Sequence, residues 1–275
     1  MGICTRALRH FANLRYLSIR DVNIEGSFLQ VLSHLKILDS LVIVACGWDG
    51  STCNNLRDEI MLPKLLALEI SLIPFRITAP LTALIQLVSN ASSTLKLFDT
   101  QDTVLAINIM TNPVHYCITQ LTLPIEVWTM PILCDFFRRT PSITSITFIA
   151  FAHTFPIVPR PSLELPLSVL PYLQHIRGPG HVVVDLLPGR PGKKVELSCP
   201  NFGLVHMLDV DRAVAILDRS TAMAIEHLEI PSSLFIPRDI VSRVRTLSLI
   251  VGDNLIGQDV RIHTNHYIQT IIDCI

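Results

Sequence analysis

The sequence has few charged residues and almost no net charge. Lysine and arginine number 22, aspartate and glutamate number 23, and charged residues make up 16% of the 275 residues. A balance this close to neutral lacks the positive field that a dedicated nucleic-acid-binding protein presents to phosphates. Hydrophobic residues make up 49%, which is enough to bury a large core and excludes disorder as the main state.

Paired cysteines and long apolar runs are also missing. The seven cysteines are scattered, and no two form a Cys-x-x-Cys pair, so the sequence predicts neither a disulfide framework nor a zinc ribbon. We therefore expect a reducing compartment, the cytoplasm or the nucleus. No apolar run reaches the roughly 18 residues that a membrane-spanning helix needs, so we expect no membrane contact.

The motifs of enzymes and metal sites do not occur either. There is no Gly-x-Ser-x-Gly nucleophile motif and no cysteine in a recognisable catalytic context. His263 and His266 stand three residues apart, but they have no acidic or cysteine partner at a suitable spacing, which predicts surface residues rather than metal ligands. We expect no catalytic residues, no metal and no cofactor.

What the sequence does contain is a repeat. Leu14–Ile24 has the spacing Leu-x-x-Leu-x-Leu-x-x-(Asn/Cys)-x-Leu of a leucine-rich repeat. The pattern begins again at residues 38, 65, 92, 118 and 143, a step of 24 to 27 residues that is typical of such repeats. The fourth copy is the poorest, with Ser92, Leu95 and Leu97 at its apolar positions. Alternate residues of each strand point to a shared core, so the repeats must stack to bury it.

The segments between the strands predict helices, because their apolar residues share one face. These sets are Phe28, Leu32 and Leu35; Leu81, Leu84, Ile85 and Val88; and Ile132, Leu133, Phe136 and Phe137. The repeats are most regular over residues 10–150, a proline-rich loop follows at 153–171, and irregular repeats fill 172–275. The predicted fold is therefore an α/β leucine-rich-repeat solenoid, a horseshoe with a parallel concave sheet, convex helices and about ten irregular repeats in a single domain, 1–275.

One segment resembles F-box/leucine-rich-repeat proteins of mushroom-forming fungi. It has Leu-Pro-x-Leu at residues 170–173, Gly-Pro at 178–179 and Leu-x-Pro-Gly-Arg-Pro at 186–191, followed by a short valine-rich strand. The resemblance implies a ubiquitin ligase substrate receptor, in which the F-box binds a Skp-type adaptor and the repeats present the target. No F-box precedes the first repeat, and solenoids normally carry caps, so we expect that part of the protein lies upstream. The alternative is an independent repeat scaffold with no ligase role.

The basic segment 189–194 imitates a phosphate-binding loop. However, Leu187 and Lys194 stand where that motif requires glycine and a hydroxyl residue. We favour a tight turn that leads into the strand at 195–197. The alternative is an anion-contacting turn that uses Arg190, Lys193 and Lys194.

The strand residues between the buried positions predict the functional surface. In such solenoids these residues face the concave side, where partners usually bind. We expect a protein partner there, and a Skp-type adaptor only if an F-box exists upstream. The candidate partner-binding residues are Ser18, Arg20, Glu69, Ser71, Lys96, Thr122, Arg177, Glu196, Ser198, Glu229 and Ser248.

Overall fold

The structure is a computed structural model of the chain. It describes residues 7–8, 10–24, 27–48, 62, 64–72, 81–127, 131–149, 165–197, 225–231, 244–250 and 259–263. The contacts group into two compact units, unit 1 at 1–143 and unit 2 at 144–275, whereas the repeat pattern predicts one domain. Among the described residues no helix is both long enough and apolar enough to cross a bilayer.

Unit 1 alternates strands with helices or turns. Its elements are β1 (Tyr16–Arg20), β2 (Asn23–Ile24), α1 (Ser27–Leu32), β3 (Ser40–Trp48), β4 (Ala67–Leu72), α2 (Leu81–Asn90), β5 (Leu97–Thr100), α3 (Thr103–Thr111), β6 (Gln120–Pro124), a 3-10 turn (Ile125–Val127) and α4 (Ile132–Arg139). Its strands are parallel in the order β1, β3, β4, β5, β6, with β2 beside β3.

Unit 2 repeats this plan with fewer described helices. Its elements are β7 (Ser145–Ile149), β8 (His175–Gly178), α5 (Gly180–Leu186), β9 (Lys194–Leu197), β10 (His227–Pro231), β11 (Thr246–Ile250) and β12 (Asp259–His263). Strands β7 to β11 are parallel and adjacent in chain order. Strand β12 pairs antiparallel with β11 and is the exception to the predicted parallel sheet.

The core of each unit is a column of apolar side chains from neighbouring strands. In unit 1 the register aligns Leu17, Leu41, Leu68, Phe98 and Leu121. In unit 2 it aligns Ile146, Ile176, Val195, Leu228 and Leu247. All of them except Leu17, in the edge strand β1, are buried. Ten parallel strands stacked in this way among the described residues confirm the predicted leucine-rich-repeat fold.

Backbone hydrogen bonds fix the register where each strand begins. The carbonyl of Arg15 accepts the N–H groups of Asp39 and Ser40 at 2.9 and 3.0 Å, and the carbonyl of Gln174 accepts those of Lys193 and Lys194 at 2.8 and 2.9 Å. One acceptor thus holds two consecutive donors of the next repeat. Because a slip of one residue would turn every core side chain outward, this contact also fixes which side chains share the opposite face.

The predicted helical faces are largely buried. Phe28, Leu32 and Leu35 are at most 4% exposed, and α2 and α4 bury Leu84, Val88, Leu133, Phe136 and Phe137. Helix α3 has no counterpart among the predicted helices. Its first turn is capped by Asp102, whose carboxylate accepts the N–H of Leu105 at 2.7 Å, as expected of an N-cap aspartate.

The predicted frame of the fourth repeat is wrong by three residues. Leu95, Phe98 and Thr100 fill the three inward positions and are at most 1% exposed, whereas Leu97 is only half-buried. The pattern misleads because Leu97 is apolar and the residue at the third inward position, Thr100, is polar. The buried Thr100 hydroxyl accepts the N–H of Asp102 at 3.1 Å, which compensates for its desolvation.

Candidate functional site

The open face of the sheet is the face whose side chains alternate with the buried core residues. On this face the register of unit 1 aligns Ser18, Val42, Glu69, Asp99 and Thr122. The register of unit 2 aligns Thr147, Arg177, Glu196, Glu229 and Ser248. The repeat therefore places one side chain per strand in a row across each unit.

Most of the predicted candidates occupy these rows or the positions beside them. Ser18, Glu69, Thr122, Arg177, Glu196, Glu229 and Ser248 lie in the rows, and Arg20 and Ser71 lie two residues further along β1 and β4. Glu196 and Ser248 are nevertheless buried, at 5% and 4% exposure. Ser198 falls outside the described residues. Their contact with a partner stays a prediction.

Lys96 is the candidate that the structure places elsewhere. Because the fourth repeat is shifted, Lys96 precedes β5, and its ammonium donates to the carbonyl of Cys117 at 3.4 Å. Asp99 stands in the row instead, opposite Glu69 on one side and Thr122 on the other. The sequence prediction thus missed an acidic residue and counted a basic one in its place.

Unit 1 presents two carboxylates side by side. Glu69 and Asp99 are paired positions of the neighbouring strands β4 and β5, which lie about 4.8 Å apart. No basic side chain among the described residues forms an ion pair with either of them. Burial raises the pKa of Asp99, the hydrogen bond with Thr122 lowers it, and the charge of Glu69 raises it again, with a net increase. Like charges in such positions are destabilising.

Apart from the two carboxylates, the described open face of unit 1 carries apolar side chains, hydroxyl groups and the cation Arg20. Tyr16 in the edge strand is 55% exposed. Val42 and Val44 of β3 are buried and half-buried, respectively. The polar side chains on this face form hydrogen bonds within the protein. Arg20 donates to the Ser18 hydroxyl at 3.2 Å, and Ser71 donates to the Gln101 amide oxygen at 3.2 Å.

Unit 2 surrounds its central carboxylate with cations. Glu196 lies 3.3 Å from His175 Nε2 and 3.4 Å from Arg177 Nε, and it also contacts Lys194 Nζ. The interactions with His175 and then Lys194 outweigh burial and lower the pKa of Glu196 to about 2. Glu196 is therefore a buried anion whose charge is balanced inside the protein.

Further titratable groups flank this centre. His227 and Glu229 follow on β10, with Nε2 and Oε2 3.9 Å apart, and Lys193 pairs with Glu226 at 3.4 Å. Glu229 is the register partner of Glu196. One ligand atom each from Glu196, His227 and Glu229 lies within 4.8 Å of the other two. The sequence does not predict this set, because its members come from two strands that belong to separate repeats.

The segment around Arg190 forms a turn, which is the interpretation that the sequence favours over a phosphate-binding loop. Gly189 has φ of +72°, a conformation that glycine adopts without strain. Arg190 is 4% exposed, and its guanidinium donates to five backbone carbonyls: Leu165, Pro166, Val169, Leu186 and Pro188. The alternative of an anion-contacting turn is wrong for Arg190, because its donors are already engaged in joining the end of α5 to residues 165–169.

Comparison with known proteins identifies no family. No family model matches the chain, and no curated protein matches it. Among solved structures the chain is similar to an internalin C2 from Listeria monocytogenes, with 13% sequence identity and a TM-score of 0.33. That match covers 70% of this chain and 84% of the internalin chain.

Proposed function

We propose that this chain is a non-enzymatic protein-recognition module that binds a protein partner on the open face of its sheet. The fold supports this role because parallel strands hold one row of side chains in fixed register across each unit. A rigid row loses little conformational entropy when a partner binds. Repeat solenoids usually bind their partners on this face.

One observation carries the proposal, namely the unbalanced pair Glu69 and Asp99. Two neighbouring carboxylates without a described basic partner cost stability in the free protein. A lysine or arginine side chain placed between them removes this cost. The partner should therefore present a basic side chain, and charge complementarity of this kind gives specificity and speeds association.

The neighbouring side chains favour a peptide segment with an apolar residue beside the basic one. Tyr16 is 55% exposed on the same face as Val44 and Glu69. Aromatic residues that are half-exposed in a free protein supply large contact areas in interfaces. Unit 1 thus combines an apolar region on β1 and β3 with an acidic region on β4 and β5.

A random-peptide phage library tests this function directly. The full chain should enrich peptides that contain lysine or arginine. These peptides should bind the double variant Glu69→Gln/Asp99→Asn about ten-fold more weakly or worse, since the amides keep the shape and remove the charge. Asp135→Asn, an exposed carboxylate of α4, is the matched control and should bind as the wild type does. Enrichment of peptides without basic residues, or equal binding by the double variant, contradicts the proposal.

The finer form of the proposal is target recognition for an F-box-type ubiquitin ligase. It is supported by the resemblance of residues 170–191 to fungal F-box/leucine-rich-repeat proteins, and it implies a cytoplasmic or nuclear protein. An in-frame F-box in the genomic sequence upstream of Met1, together with binding of the longer product to a purified Skp-type adaptor, is the expected result. If neither is found, the chain is an independent repeat scaffold, and peptide recognition by unit 1 still stands.

A further inference from the structure

The strands β8 to β10 bring together four side chains of the kinds that bind transition metals. His227 and Glu229 are two residues apart on β10, so they lie on the same face. Glu196 stands opposite Glu229 by register, and His175 stands beside Glu196 on β8. Nitrogen and carboxylate donors in this combination are typical of zinc sites.

We propose that Glu196, His227 and Glu229 bind a divalent transition-metal ion, for which Zn²⁺ is the best-fitting probe. One donor atom of each residue already lies within 4.8 Å of the other two. Around a tetrahedral Zn²⁺ with bonds of about 2.0–2.1 Å, the donors lie about 3.3 Å apart. To reach that spacing, the three side chains must rotate so that their donor atoms come closer together.

His175 lies beside this site and already contacts the Glu196 carboxylate. Nδ1 of His175 is 2.9 Å from the Ser145 hydroxyl. Nε2 of His175 is buried and lies 3.3 Å from the Glu196 carboxylate. Partners that orient a metal-binding side chain are a usual part of metal sites. His175, held in place by Ser145, therefore orients the Glu196 carboxylate beside the proposed site.

Binding of the ion requires an exchange of cations at Glu196. Lys194 and Arg177 both contact this carboxylate, and their side chains are 44% and 53% exposed. Either side chain can turn into solvent only while the ion replaces its charge, because a buried anion without a partner is costly. Zn²⁺ takes the position of the Lys194 ammonium, so Lys194 lowers the metal affinity of the resting protein. If Glu196 only formed ion pairs, removal of Lys194 would not increase metal affinity, so this competition is specific to the proposed metal site.

The test is a Zn²⁺ titration of the full chain against a chromophoric chelator, with Co²⁺ as a spectroscopic probe. Wild type should bind one Zn²⁺, His227→Gln should weaken binding at least ten-fold, and Lys194→Met should tighten it. The Co²⁺ complex should show ligand-field bands without thiolate charge transfer, which separates this site from the seven cysteines. His115→Gln, an exposed histidine in unit 1, is the matched control. The variants are compared by far-UV circular dichroism.

Two results would overturn the site. One is a wild-type protein that does not compete for Zn²⁺ at micromolar concentrations. The other is His227→Gln binding with wild-type affinity while its circular dichroism is unchanged. Neither result bears on the binding of basic peptides by unit 1, because Glu69 and Asp99 belong to other strands.

Discussion

The two units have the same strand plan but treat charge on the open face in opposite ways. In unit 1, Glu69 and Asp99 are neighbours without a described cation, and the pKa of Asp99 is raised. In unit 2, Glu196 is buried, yet its interactions with His175 on β8 and Lys194 on β9 lower its pKa to about 2. The repeat decides where a side chain stands, and the described neighbouring repeats decide whether basic side chains balance its charge.

In each unit, one arginine side chain donates hydrogen bonds to several backbone carbonyls near the end of a helix. In unit 1, Arg139 donates to the carbonyls of Met110, Asn112 and Val114, at the end of α3. In unit 2, Arg190 donates to five carbonyls around the end of α5. A cation at the C-terminus of a helix also complements the helix dipole. Among the described residues, the arginine of unit 2 thus joins more carbonyls than the arginine of unit 1.

The largest expected effect comes from removal of this arginine in unit 2. Arg190→Met keeps the aliphatic stem but leaves buried carbonyls without a donor, so we expect a loss of about 3 kcal/mol or more in the free energy of unfolding. Arg139→Met should cost about 1–2 kcal/mol, because fewer carbonyls depend on it. Urea unfolding at neutral pH measures both variants. Equal losses would remove this difference between the units.

The next effect is the loss of the balanced anion of unit 2. Glu196→Gln should destabilise the protein by about 1–3 kcal/mol at pH 7. Because the folded pKa of Glu196 is about 2, below its ordinary 4.5, its contribution is complete above pH 4.5 and is lost as the pH falls toward 2. Urea unfolding of wild type and variant should therefore converge at low pH. A constant difference across this range would contradict the ion-pair account.

The corresponding change in unit 1 should have the opposite sign. Asp99→Asn removes one of two like charges and should stabilise the protein by about 0.5 kcal/mol at pH 7. Because the pKa of Asp99 is higher in the folded state than in the unfolded state, protonation of Asp99 stabilises the folded wild type. This stabilisation is complete below the unfolded pKa and is lost as the pH rises through the folded pKa. Thermal melting at pH 7 measures the difference. A clear loss of stability in the variant would show that the carboxylate is balanced after all.

The smallest effect concerns an exposed ion pair of unit 2. Lys193 and Glu226 are 3.4 Å apart, and both side chains are about half exposed. Lys193→Met should change the free energy of unfolding by less than about 0.5 kcal/mol. Chemical denaturation under the same conditions as for Glu196→Gln gives the comparison. If Lys193→Met lost as much free energy of unfolding as Glu196→Gln, the burial of Glu196 would not be the reason that its ion pairs stabilise unit 2.

The repeat fold was predictable from sequence because its signal is the spacing of apolar residues. Leu38, Leu41 and Leu68 are buried as predicted, and Cys46 is buried at the Asn/Cys position, where its thiol contacts the carbonyls of Ile19 and Val44. The prediction was wrong for the frame of the fourth repeat, because the polar Thr100 fills an inward position. A local pattern cannot distinguish a buried threonine that accepts a backbone hydrogen bond from an exposed one.

The candidate site was less predictable, because it depends on which residues become neighbours across strands. The frame error put Lys96 in place of Asp99 and hid the acidic pair with Glu69. The balance of charge around Glu196 depends on the pairing of β8 with β9, and the donor set with His227 depends on the pairing of β9 with β10. The available signal was His-x-Glu on one strand and Glu at the equivalent position of the preceding repeat.

The most direct test of this contrast is a site-resolved carbon-13 NMR titration of the side-chain carboxyl groups of Asp99 and Glu196. The account predicts an Asp99 pKa above the ordinary aspartate value and a Glu196 pKa near 2. Ordinary values for both groups, near 4, would contradict the contrast in which Asp99 is half-buried without a described cation and Glu196 is buried beside basic side chains.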